Sequence, residues 1–229
     1  MSKILNPWLN ISWENTVADC DKEIMNPAYC AEKGVDISML PEPYSGNLNS
    51  NVVCLNLNPG ISKCDACFRF NKQLLDLTQK TLRHKIDHSM WFDEDIRCQL
   101  GGLHEGCKWW KDKTEKLKDE VGKRLNMFIL EFFPYHTKHG FRFPDLPSNK
   151  YRNQLLSDAI DKKKLIVIMR GESKWLGIKE LKLADRLNEM KKVKRLIVLS
   201  NPQNVSFSQT SLKGDMWSLL VNELKNIKN

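Results

Sequence analysis

No run of roughly 18 apolar residues occurs anywhere in this 229-residue chain, so the sequence offers no membrane-spanning helix. Its first stretch, MSKILNPWLNISWEN, is polar and lacks the continuous apolar segment of a secretory signal. An intracellular setting is therefore expected, cytoplasmic or nucleoid-associated. Internal repeats, low-complexity segments and linkers are also lacking, which makes one domain over 1–229 the economical reading. Even pairing of cysteine is missing too: seven cysteines are an odd number, and without a secretory signal they argue for free thiols or a metal rather than a disulfide framework.

What is present is ordinary for a folded domain. The chain is 41% hydrophobic and 28% charged, and long enough to bury a core without covalent staples. Thirty-six Lys and Arg against 28 Asp and Glu leave a net charge of +8. That excess suits phosphate neutralisation, although many basic proteins bind no nucleic acid.

Four short apolar runs have the pattern of strands covered on both faces: Val52–Leu57, Met127–Phe133, Leu165–Met169 and Leu196–Leu199. Helical spacing lies between and after them. Leu74, Leu75, Leu82 and Ile86 suit a helix over about 72–88, and Leu117, Val121 and Leu125 repeat every four residues. Pro147-Ser148 opens a further helix carrying Tyr151, Leu155, Leu156, Ala159 and Ile160, with Ser148 as candidate N-cap. Trp175, Leu176, Leu183, Leu187 and Met190 fill the next crossover, and Leu212, Met216, Leu219, Leu220 and Leu224 make a C-terminal helix. Alternating strand and helix predict an α/β fold, a three-layer sandwich around a four-stranded, mostly parallel sheet. A helical N-terminal extension over about 1–40, packed by Trp8, Trp13 and Met25, and a helical insertion over about 61–125 complete the expectation.

Open parallel sheets bind ligands beyond the carboxyl ends of their strands. The four runs deliver there Asn56-Leu57-Asn58-Pro59-Gly60, then Glu131 with Pro134-Tyr135-His136, then Arg170-Gly171-Glu172-Ser173, then Asn201-Pro202-Gln203-Asn204-Val205-Ser206. Two of the four carry Asn-Pro. Proline stops the strand, and the amide is left at the edge with a donor and an acceptor. Asn-Pro is also a common turn opener, so either one alone says little.

Together, these motifs resemble the uracil-DNA glycosylase superfamily. The first motif of that family follows the first strand and often reads Asn-Pro-Gly, here Asn58-Pro59-Gly60; the second follows the last strand, here Asn201–Ser206. The Pro41–Asn47 loop ahead of the first strand fits as well, so the resemblance spans about 41–228. It implies a monomeric DNA glycosylase, without cofactor or metal, that flips a base from DNA and hydrolyses its N-glycosidic bond. Asn58 and Asn201 match the catalytic positions: Asn58 orients the water through its amide oxygen, and Asn201 donates to the leaving base. Neither is charged, which fits the mismatch-specific, thymine-DNA glycosylase-like branch better than the most active one. Gly60 stands where the most active branch has a bulky Tyr that excludes 5-substituted pyrimidines, so such bases would fit here. Phe70 matches the stacking position, with Phe68 as rival and core packing as the plain alternative. Val205 aligns with the residue that wedges into DNA, although an apolar loop anchor would look the same. Gln203, Asn204, Ser206 and Arg170 are candidate DNA contacts, with Lys138 and Arg142 also placed for phosphate.

One departure concerns the base itself. Where several branches read a pyrimidine edge with Asn after the second strand, this chain has Glu131, which suits a donor-rich edge such as an amino group. Alternatively Glu131 is a satisfied structural carboxylate, with Tyr135, His136 and His139 as the nearby base readers. A non-catalytic member that binds modified nucleic acid without cleaving it fits the same residues. A third reading rests on Cys64, Cys67, Cys98, His104 and Cys107, which could hold a metal or act as redox thiols. Some branches of the family carry a four-cysteine cluster whose first pair precedes motif one; here the pair follows it, so the cluster is not carried over. Trp91, Trp109 and Trp110 lie in the same insertion and suit either packing or base stacking. The basic runs Lys162–Lys164 and Lys191–Arg195 precede strands and so fall at the opposite, amino edge.

Overall fold

All four apolar runs become strands, each slightly shorter than its run: β3 (Val52–Asn56), β4 (Phe128–Glu131), β6 (Leu165–Ile168) and β7 (Leu196–Val198). The computed structural model describes residues 4–62, 65–92, 105–122, 124–138, 142–201, 205–212 and 214–226. Three shorter strands join them, β1 (Val35–Asp36), β2 (Tyr44–Ser45) and β5 (His136–Thr137). The helices are α1 (Pro27–Lys33), α2 (Asp65–Phe68), α3 (Lys72–Leu82), α4 (Glu105–Val121), α5 (Asn149–Asp161), α6 (Glu172–Trp175), α7 (Leu183–Lys192) and α8 (Met216–Lys225).

The main sheet runs β2-β4-β3-β6-β7. Its four long strands are mutually parallel, with β3 central between β4 and β6. Every residue of β3, β4 and β6 is buried, as strands covered on both faces require. The sheet therefore has five strands rather than the four expected, because β2 adds antiparallel to β4. A separate ribbon pairs β1 with β5. Two residues give no alternation to read in a sequence, and β2 is held instead by a close approach. Gly46 follows it at φ +92, and a Cβ there would stand 2.2 Å from the carbonyl oxygen of Met127.

From β3 the chain steps one way to β4; from β4 it returns across β3 to β6, and then moves on to β7. Parallel crossovers are right-handed, so steps in opposite directions place their helices on opposite faces. α4 packs with α8, and α5 packs with α7. The arrangement is α/β, with helices compatible with three layers.

The N-terminal segment is bound to the body by a buried carboxylate. Asp21 is fully buried and accepts from the Tyr135 hydroxyl at 2.9 Å and from the Ser148 hydroxyl at 2.6 Å and backbone N–H at 3.0 Å. Ser148 does stand at the N-cap of α5, but its own side chain caps nothing. Its hydroxyl donates to Asp21 instead, and that distant carboxylate takes the helix-terminal N–H. The helix foreseen over 72–88 ends at Leu82, with His84 at φ 53 beyond it.

Candidate functional site

The carboxyl edge of β3 is fixed from both sides. The backbone oxygen of Asn56 accepts from the Phe132 N–H at 3.2 Å and from the Trp175 indole at 2.9 Å, and Leu57 O accepts from the Phe133 N–H at 2.9 Å. Beyond this edge the chain leaves β3 toward α4 and leaves β4 toward α5, on opposite faces. Diverging connections of this kind open a crevice between neighbouring strands. Here the crevice is a cleft of about 230 Å³.

Its floor is a pair of side chains in register. Asn56 and Glu131 are direct partners across β3 and β4, and the Asn56 Nδ2 donates to Glu131 Oε1 at 2.9 Å. Both residues are more than nine-tenths buried. Among the described residues, Asn56 Oδ1 and Glu131 Oε2 are left with no hydrogen-bond partner. Two orphaned polar atoms on one hydrogen-bonded pair of cleft residues are expensive unless something binds them. Burial pushes the Glu131 carboxyl up to about 8; the Asn56 bond and the Arg170 charge pull it down, and the Glu42 charge pushes it further up. Arg170, at the end of β6, lines the same cleft, and its side chain makes no hydrogen bond among the described residues.

Motif one forms one side. The Asn58 Nδ2 donates to Pro59 O and to Thr137 Oγ1, both at 2.9 Å. A carbonyl can only accept, so the amide nitrogen must face Pro59, and the amide oxygen remains as the open acceptor. Gly60 bridges to Thr137, and a Cβ at Gly60 would meet nothing within 4 Å. Neither φ nor packing demands glycine at this position; its effect is the space it leaves at the rim.

His136 and Glu42 stand next to motif one. The His136 ring is held between Gly60 O at 2.7 Å and Leu40 O at 3.0 Å, with Glu42 Oε1 3.4 Å away. Glu42 also accepts from the Trp91 indole at 3.0 Å, and burial raises its carboxyl above the usual carboxylate range. Trp91 and Trp110, both buried, and the half-buried Trp109 complete the wall from the insertion.

The cleft therefore collects Asn58, Gly60, Glu131, His136 and Arg170 from the candidates read in the sequence. Others lie elsewhere. Phe70 is exposed, has φ 62 and tilts against Trp13 at 5.7 Å, outside the cleft, while its rival Phe68 is in the core. Tyr135 is buried and its hydroxyl is engaged by Asp21 and the Ala18 N–H. Asn201 follows β7, two strands from β3, and does not line the cleft. Val205 is buried in the core, as a loop anchor is, and Ser206 joins a hydroxyl cluster with Ser211 at 3.2 Å. Pro202, Gln203, Asn204 and His139 lie outside the described residues, as do Cys64, Cys98 and His104. Cys67 is exposed and Cys107 is buried in α4.

Asn56 and Glu42 were not singled out in the sequence. Asn56 had a readable signal: a polar residue closing an all-apolar strand, two positions before Asn58 and hence on the same face. Glu42, in Pro-Glu-Pro, had none, because only the fold brings that loop beside β5. Among the described residues no helix is long and apolar enough to cross a membrane, and no group of three His, Cys, Asp or Glu is placed to hold a metal.

Comparison with known proteins finds no matching family model, no matching curated protein and no matching solved structure.

Proposed function

We propose that the protein is a divergent member of the uracil-DNA glycosylase superfamily, most like its mismatch-specific branch, and hydrolyses the N-glycosidic bond of a deaminated or modified base flipped from DNA. The observation that carries this reading is the Asn58 amide. It stands at the mouth of a cleft at the carboxyl edge, its nitrogen anchored and its oxygen open. Such an oxygen accepts a hydrogen bond from a water and aims that water's lone pair at a sugar carbon. The cleft is smaller than the roughly 300–1,000 Å³ of drug-sized sites, so it suits one heterocycle rather than a whole nucleotide. A base must leave the helical stack to enter it, and tryptophan faces are its natural lining. The room at Gly60 favours 5-substituted pyrimidines among the substrates.

A second reading, binding without cleavage, is favoured by the absence of basic strength in Asn58: an amide orients water but does not take its proton. Single-turnover assays separate the two on oligonucleotides carrying uracil, mismatched thymine, hypoxanthine or 5-modified pyrimidines. Abasic product from any of them supports hydrolysis, binding without product supports the second reading, and neither product nor DNA binding ends both.

A further inference from the structure

The two orphaned atoms on the cleft floor hold more information than the motifs do. Asn56 Oδ1 is an acceptor whose own amide nitrogen is already committed to Glu131 Oε1. Glu131 Oε2 is the other, and what it offers depends on where the carboxyl proton sits. An ionised Glu131 would leave two bare acceptors on this buried pair. A neutral one must carry its proton on Oε2, since Oε1 accepts from Asn56, and the pair then offers one acceptor and one donor.

We propose that Glu131 reads the ligand as a neutral carboxylic acid, its Oε2–H donating while Asn56 Oδ1 accepts, so that the cleft selects an uncharged heterocycle edge with an N–H beside a carbonyl or ring-nitrogen acceptor. This rests on reading the cleft as a base site, and it names the form of the base that the site takes. The neutral acid is the form that burial favours at neutral pH. The surroundings do not reverse this. Glu42 from the loop before β2, Asp65 of α2 and Glu105 of α4 line the cleft with carboxyl groups, together with Arg170 after β6 and the His136 ring of β5. On the other side of β4, Arg152 of α5 is committed to Phe132 O, Asn149 and Asn153, and the Tyr44 hydroxyl of β2 donates to Leu82 O.

A Gln at 131 has the same donor and acceptor pattern without a titratable proton. Binding of free uracil, hypoxanthine, cytosine and 1,3-dimethyluracil to the full chain, followed by tryptophan fluorescence between pH 6 and 9, tests the proposal, because Trp91, Trp109 and Trp110 line the cleft. The wild type is expected to bind one or more of the N–H-bearing heterocycles and to reject 1,3-dimethyluracil, which has no N–H. Its affinity falls about tenfold from pH 7 to pH 9, as the neutral fraction drops from about nine-tenths to about one-tenth. Glu131→Gln binds without that fall. A flat wild-type profile, an equal fall in Glu131→Gln, equal binding of 1,3-dimethyluracil, or no binding of any heterocycle overturns the proposal. Should Glu131→Gln fail to fold, the wild-type profile and the dimethyl comparison decide alone. Abasic product with a flat binding profile removes this proposal and leaves the glycosylase reading standing. A pH-dependent binding profile without product does the reverse.

Discussion

Replacing Asp21 by Ala removes the buried acceptor that joins three parts of the chain: the N-terminal segment, the loop after β4 and the start of α5. Asp21 is fully buried and takes hydrogen bonds from the Tyr135 hydroxyl, the Ser148 hydroxyl and the Ser148 N–H, at 2.6–3.0 Å. A hydrogen bond to a charged acceptor contributes roughly 1.5–3 kcal/mol, and a buried donor left without a partner costs roughly 1–3 kcal/mol. The three bonds share one acceptor and do not add. We expect Asp21→Ala to cost about 4 kcal/mol, at the large end for a single substitution. Asp21→Asn keeps one acceptor oxygen, and both hydroxyls can turn to accept from its amide, so about 1–2 kcal/mol is expected there. In urea denaturation with a slope of about 2 kcal/mol/M, Asp21→Ala should lower the midpoint by about 2 M. A shift under about 0.5 M, or equal shifts for the two variants, would refute the assignment of Asp21 as the tie between these elements.

Other consequences are as direct. Gly60→Tyr should leave the melting temperature within about 2 °C of wild type, since a Cβ there meets nothing, and should abolish activity on 5-substituted pyrimidines in the single-turnover assay. Gly46→Ala should destabilise by more than about 2 kcal/mol in urea, because φ is +92 and the new Cβ would stand 2.2 Å from Met127 O. Burial lowers the His84 imidazole to about 4, against 6.5 unperturbed. The unfolded chain therefore binds more protons between these values, and stability rises with pH across that window. On acidification from about pH 6.5 to 4 the wild type should lose stability relative to His84→Gln; parallel denaturation profiles for the two would contradict this.

The parallel core was legible because β-branched and apolar residues in β3, β6 and β7 leave no solvent face, and Pro59 and Pro134 mark where strands must stop. β2 was not legible, since two residues carry no period and its place depends on the Gly46 contact with Met127. Positions that line the cleft were readable where a polar residue closes an apolar run at the carboxyl edge. Asn58 and Glu131 were singled out in this way and line the cleft, whereas Asn56, inside the run Val52–Leu57, was not singled out. Spacing along the chain carried less. Phe70 was placed by its distance from motif one, but the chain turns through a positive φ at that residue and leaves it on the surface, so the aromatic wall comes from Trp91, Trp109 and Trp110. Val205 shows the limit of hydrophobicity as a signal, because a core anchor and an exposed wedge call for the same side chain.

The central claim is that the Asn58 oxygen orients a hydrolytic water. Single-turnover release of a modified base by wild type and Asn58→Ala tests it most directly, with folding checked by circular dichroism. Wild type should form abasic sites on at least one substrate of the panel, and Asn58→Ala should do so about 100-fold or more slowly, with DNA binding retained. Equal rates for the two proteins, or no abasic product and no DNA binding from wild type on any base, would contradict the account.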